Sequence, residues 1–101
     1  MSTMAETKQS NKTNTVIKKP NLYKVVLNND EVTPMDFVVE LLKGIFHKSH
    51  DDALKITMNI HEEGKGAAGI YTFEIAEQKQ NEAVYISRTN GHPLNITLEA
   101  E

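Results

Sequence analysis

The chain has 101 residues, 11 Lys plus Arg against 14 Asp plus Glu, and no cysteine, so one domain is expected, without a disulfide framework or a thiolate zinc site. Residues 1–20 carry four Lys and one Glu, while residues 21–101 carry seven Lys plus Arg against thirteen Asp plus Glu, an acidic balance that repels phosphate and argues against nucleic acid as a partner. No apolar run approaches the roughly 18 residues of a membrane span, and the N-terminus lacks a signal-peptide stretch, so a cytoplasmic protein that enters no membrane is expected.

Residues 1–20 are Ser, Thr, Asn, Gln and Lys around one apolar pair, Val16-Ile17. Such a segment buries too little surface to offset its ordering entropy and is expected to be a disordered extension. Pro20 marks the boundary of a domain over residues 21–101.

Leu22 to Leu27 reads as a strand, with Tyr23, Val25 and Leu27 on one face and Leu22, Lys24 and Val26 on the other. A helix is predicted over about 34–46, with Thr33 as N-cap, Pro34 in the first turn and Asp36 completing a Thr-x-x-Asp capping box. Its apolar face is Val38, Leu41, Leu42 and Ile45. A second helix starts near Ser49, where Asp51 and Asp52 complement the dipole. Leu54, Thr57, Met58 and His61 form its stripe, and Gly64 and Gly66 stop it. Ala67 to Phe73 reads as a strand, about 76–89 as a helix ended by Asn90-Gly91, and Leu94 to Leu98 as an alternating strand with Leu94, Ile96 and Leu98 inward. The order β-α-α-β-α-β predicts an α+β fold: a small two-layer domain with a three-stranded antiparallel sheet and three helices on one face.

Enzyme chemistry finds little support. Gly64-Lys65-Gly66 follows a helix and does not meet the phosphate-loop pattern, and neither a Gly-x-Ser-x-Gly elbow nor a Cys nucleophile is present. His47 and His50 lie in a polar hinge and His92-Pro93 in a turn; no histidine pair has the helical spacing of a zinc site. The run from Asn28 to Glu31 has too few alternating ligands for calcium. No cofactor is expected.

The polar loop Asn28-Asn29-Asp30-Glu31 is either plain turn chemistry or a set of side-chain oxygens facing a ligand. His61 is either a core histidine satisfied by a carbonyl or a ring nitrogen turned into a pocket beside that loop. The second pair of readings suits a small cation carrying an apolar group, such as the free amino end of a peptide. Glu74 and Lys79 read as solvated surface charges of little energetic weight.

The run from Asn29 to Val38 resembles the Asn-Asp-Asp-x-Thr-Pro-Met-Glu-Phe-Val signature of the bacterial ClpS adaptor family. Ala53 to Gly64 is similar to that family's helix ending in Val-His-x-x-Gly, and Gly69 to Lys79 resembles its Gly-x-Tyr/Phe-x-x-Glu-x-Ala-Glu-x-Lys stretch. His92-Pro93-Leu94 matches its closing His-Pro-Leu. The resemblance covers residues 21–99, with the four motifs in order.

This resemblance implies an adaptor without catalysis. It would recognise N-degrons, proteins beginning with Leu, Phe, Tyr or Trp, and carry them to the N-terminal domain of the ATPase ClpA for degradation by ClpP. A monomer is implied. The α-ammonium would be held by Asn29 and His61, helped by Asp30 and Glu31. The side-chain pocket would be Leu27, Thr33, Met35, Val38, Thr57, Ile60 and Leu94, with Met35 as a gate. Glu74 and Lys79 would face ClpA. Thr57 stands where the family usually has Met and Glu31 where it usually has Asp, departures that bear on pocket shape and bound water. The rival implication is a translational or structural role, since the fold is shared with the C-terminal domain of a ribosomal stalk protein and fold alone does not choose.

Overall fold

A computed structural model describes residues 21–101; the reading of residues 1–20 as a disordered extension lies outside them. The elements follow the order β1 (Leu22–Asn28), α1 (Met35–Gly44), α2 (His50–Glu63), β2 (Lys65–Thr72), α3 (Phe73–Thr89) and β3 (Asn95–Ala100). The three strands form one antiparallel sheet in the order β2-β1-β3. The α+β architecture is the one expected.

β1 is central because it carries the most apolar run of the three. Val25 and Leu27 are fully buried in the core, together with Ile96 and Leu94 from the β3 side. On the β2 side the register steps between Val25 and Val26: Val25 faces Gly69 and Val26 faces Ala67. Ala68 is the extra residue of this bulge, and it is fully buried in the core cluster. All three helices contribute to that same cluster, through Val38, Leu41 and Leu42, through Ala53 and Ile60, and through Ala76 and Ala83. The helices therefore share one face of the sheet.

Two helix starts and one helix face differ from the expectation for physical reasons. Thr33 does not cap α1. Its hydroxyl donates to Asp30 Oδ2 at 2.8 Å, so the cap position falls to Pro34, whose φ of −65° and ψ of 144° turn the chain into the helix without a side-chain bond. α3 begins at Phe73, earlier than expected, with Glu74 in its first turn and the Phe73 ring set edge-on against Tyr23 at 5.2 Å. The inward face of α2 is rotated by one position. Ala53, Thr57 and Ile60 are buried and Ile56 packs against the core, whereas Leu54 and Met58 are each 43% exposed and His61 is exposed. The stripe read from sequence is thus a second apolar flank, with only Thr57 common to both faces.

The start of α2 is as expected: Ser49 Oγ accepts from Asp52 N at 3.1 Å. Its end is Gly64, in the left-handed conformation at φ 92°. Gly66 then lets α2 approach the sheet closely, since a Cβ there would lie 2.9 Å from Ile60 Cγ1.

Candidate functional site

The candidate site forms where β1 leaves the sheet beside the end of α2. Asn28 is the last residue of β1 and pairs with Lys65 on one side and Asn95 on the other. Its amide donates to the Asn95 carbonyl at 3.1 Å and to Thr97 Oγ1 at 3.2 Å, which ties the exit to β3. Asn29 N then donates to the Gly64 carbonyl at 2.8 Å. Because Gly64 caps α2 three residues after His61, that bond sets the Asn29 loop against the His61 turn.

Asp30 organises the loop that follows. Its Oδ1 accepts from Val32 N and from Thr33 N, both at 2.8 Å, and its Oδ2 accepts from the Thr33 hydroxyl at 2.8 Å. Partial burial alone would raise the Asp30 pKa. The Thr33 hydroxyl, the two backbone donors and nearby His92 outweigh that and hold the carboxyl below its ordinary value. Asp30 is therefore an ionised structural anchor. Among the described residues, the side chains of Asn29, Glu31 and His61 make no hydrogen bond, so no described residue occupies their acceptors.

These residues surround two joined hollows. The inner one is narrow, with about 20 Å³ of open volume, and is lined by Asn29, Asp30 and His61 at its polar end and by Thr33, Val38, Ile60 and Leu94, with Met35 and Thr57, elsewhere. The outer basin, about 360 Å³, is lined by Asn29, Asp30, Glu31, Thr33, Met35 and His61. No Lys or Arg lines either, and Asp30 and Glu31 give the mouth a negative field. The inner space holds about one water, so a larger group enters only if a wall yields. Five of the wall residues, Thr33, Val38, Thr57, Ile60 and Leu94, are at most 8% exposed, whereas Met35 is 42% exposed. Met35 is unbranched and adaptable, and it is the wall able to move.

Thr57 Oγ1 donates to the Ala53 carbonyl at 2.7 Å. That bond satisfies the buried hydroxyl within its own helix, leaving the wall effectively apolar. Leu27 lines neither hollow; it is fully buried behind them in the core, because its place in the central strand turns it under the helices. Glu74 is exposed on α3, on another part of the surface. Lys79 Nζ donates to the Ile45 carbonyl at 2.8 Å, so it caps the end of α1 instead of standing free in solvent.

The reading of the sequence gave no role to Arg88 and placed His92 only in a turn and in the closing motif. Arg88 donates to the His92 carbonyl at 3.1 Å and to the Leu94 carbonyl at 2.8 Å, which fixes the segment that presents Leu94 to the pocket. His92 packs its ring on Phe37, with centroids 4.4 Å apart. A basic residue in the last turn of a helix is a legible signal, but its carbonyl targets depend on how the following turn folds back. Among the described residues no group of three His, Cys, Asp or Glu side chains is placed to hold a metal ion.

Comparison with known proteins places the chain in a family and a fold. The family model described as the ATP-dependent Clp protease adaptor protein ClpS matches residues 18–97. The ATP-dependent Clp protease adapter protein ClpS of Maricaulis maris is 48% identical over 90 residues, covering 89% of this chain and 83% of that protein. The same-named protein of Shewanella halifaxensis is 50% identical over 82 residues, covering 81% and 80%. Among solved structures, Agrobacterium tumefaciens ClpS2 bound to L-phenylalaninamide is similar with a TM-score of 0.79 at 38% identity, covering 82% of this chain and all of that one. With a family model spanning most of its length and relatives near half-identical across the domain, this chain belongs to the ClpS family of non-catalytic Clp protease adaptors.

Proposed function

We propose that the chain is an N-degron adaptor: it binds proteins whose free N-terminal residue is Leu, Phe, Tyr or Trp and delivers them to the N-terminal domain of ClpA for degradation by ClpP. The observation that carries this reading is the junction of unengaged acceptors with an apolar pocket. Asn29 and His61 stand at the polar end of a hollow whose other walls are Thr33, Met35, Val38, Thr57, Ile60 and Leu94. An α-ammonium has three N–H donors, and an amide oxygen and a neutral imidazole nitrogen accept from it. Asp30 and Glu31 add a favourable field, and Asp30 also holds the loop in place. The apolar side chain then leaves water for the pocket, a transfer that contributes roughly 1.5–3 kcal/mol. A relative of the same fold holds L-phenylalaninamide, a free amine next to an aromatic side chain, which supports the reading.

The delivery step is assigned to α3, where Glu74 is exposed and Lys79 presents its charge from a fixed place above the end of α1. Leu27 supports the pocket from the core and takes no part in its wall.

The test is binding of a fluorescent peptide beginning with Phe, beside the same peptide N-acetylated. The free peptide binds and the acetylated one does not. Asn29→Ala and His61→Ala keep the fold and weaken binding by about 1–3 kcal/mol, the cost of leaving a charged group without its partner. Equal binding of the acetylated peptide, or wild-type affinity in both variants, refutes the proposal.

A further inference from the structure

We propose that the groove between α1 and α2 is the far half of the same binding site, an apolar subsite that receives the distal end of an N-terminal side chain too long for the pocket. This rests on the N-degron reading above and goes beyond it by naming the class of side chain the site accepts.

Three hollows adjoin one another through shared wall residues. The outer basin and the inner pocket share Asn29, Asp30, Thr33, Met35 and His61, and the inner pocket shares Met35 and Thr57 with a groove of about 300 Å³. Met35 borders all three. Met35 and Thr57 are therefore the wall that the inner pocket and the groove have in common. One half of that wall is Thr57, a short side chain whose hydroxyl is held at 2.7 Å by the Ala53 carbonyl, so that no polar group is left unpaired in the passage. The other half is Met35, an unbranched and adaptable side chain that is 42% exposed.

The groove beyond is open and its surface is mostly apolar, although Asp36, Glu40 and His50 also line it. Val39 forms its floor, and Leu54 and Met58, one turn apart on the outer flank of α2, form its side. Both are 43% exposed, and they are the two residues that the core-facing rotation of α2 leaves outside. Single exposed apolar residues need no explanation, but these adjoin the pocket wall. Continuity with the pocket selects the occupant. A ligand anchored by its ammonium in the basin points its side chain into the inner pocket, and a chain that passes Thr57 emerges against Leu54 and Met58.

The experiment uses full-length protein and peptides beginning with Phe or with 4-phenylphenylalanine, whose second ring extends the first along its axis, each also N-acetylated. The wild type binds both free peptides. Leu54→Gln and Met58→Gln, which touch only the groove, weaken the biphenyl peptide severalfold and leave the Phe peptide unchanged. Thr57→Met fills the passage and lowers the biphenyl-to-Phe affinity ratio by about tenfold, as overpacking of a fitted cavity does. The inference is overturned if the wild type binds the Phe peptide but not the biphenyl one. It is also overturned if Leu54→Gln weakens both peptides equally, which would place the second peptide residue or another partner in the groove. If the free Phe peptide fails to bind, or its acetylated form binds equally, the N-degron reading falls and the subsite falls with it.

Discussion

Two polar connections of this fold look alike by composition and behave in opposite ways. One is the hinge from Ile45 to Ser49 between α1 and α2, with His47 and His50 at hand; the other is the loop from Asn29 to Pro34, with His61 across from it. In the hinge the polar groups that bond serve the ends of the two helices. Ser49 Oγ accepts from Asp52 N at 3.1 Å, Lys48 N donates to the Leu42 carbonyl at 3.1 Å, and Lys79 Nζ donates to the Ile45 carbonyl at 2.8 Å. His50 Nδ1 lies 3.4 Å from Lys43 Nζ. In the loop, the Asp30 carboxylate and the Asn29 N bond to the Gly64 carbonyl do this structural work, and the side chains of Asn29 and Glu31 bond to no described residue. The hollow beside the hinge is larger, about 490 Å³, and Ile45, His47, Lys79, Glu82, Tyr85 and Ile86 line it, so a cation already stands among its acceptors, whereas no described Lys or Arg lines the hollows beside the loop. Neither polarity nor cavity size marks the site. What marks it is one side chain satisfying the backbone so that others need not.

The sharpest way to break this contrast is Asp30→Ala. Val32 N and Thr33 N lose their acceptor, and the Thr33 hydroxyl loses its partner inside the loop. Stability falls by about 1–3 kcal/mol, the cost of stranding such donors, and peptide binding falls with it because Asn29 and Glu31 are no longer held. Urea unfolding and peptide titration on the same variant measure both. A variant that binds at wild-type affinity would show that Asn29 is positioned by its backbone bond to Gly64 alone.

Most of this contrast was legible in the sequence, but not all. The strands and helices announce themselves because β1, β3 and α1 are strongly patterned and because Ser49, Gly64 and Asn90-Gly91 are orthodox stops and starts. The candidate residues at the mouth, Asn29, Asp30, Glu31 and His61, do converge on joined hollows. The rotation of α2 was hidden because the helix is apolar on two flanks that share Thr57, and periodicity ranks them by hydrophobicity. Burial is instead decided by shape: Gly66 and Ala68 offer the close approach that Ile60 fills. Likewise Thr33 has the identity of an N-cap, yet Asp30, three residues earlier, takes its hydroxyl first. Lys79 reads as a surface charge until α1 ends beneath it. The misses at α2 and Lys79 are contacts distant in sequence overriding a local preference, and the miss at Thr33 is one local bond displacing another.

The hinge supplies the control. Ser49→Ala removes the cap of α2 and costs about 1 kcal/mol of stability. Peptide affinity stays at the wild-type value, because the capped end of α2 lies more than three turns of helix from His61. Thermal melting paired with peptide titration separates the effects. A loss of affinity in Ser49→Ala would mean that the two ends of α2 are mechanically linked and that the two regions are not independent.

The smallest expected effect is electrostatic and follows from Asp30. Burial works against its charge, but the Thr33 hydroxyl, the backbone donors of Thr33 and Val32, and His92 together lower its pKa below the ordinary value. A carboxyl whose folded pKa is depressed binds fewer protons in the folded state than in the unfolded one. Its contribution to stability is therefore complete above the unfolded value, about 3.9. That contribution is lost as pH falls from there through the lowered folded value. Asp30→Asn keeps an oxygen acceptor for the backbone donors and has no charge to lose. The wild type should thus exceed Asp30→Asn in stability at pH 6, and the gap should close in strong acid. The other carboxylates titrate in both proteins and cancel in the difference. Urea midpoints of the pair across this range measure it. A gap that is constant with pH would mean that the Asp30 charge contributes nothing and that the loop is held by hydrogen-bond geometry alone.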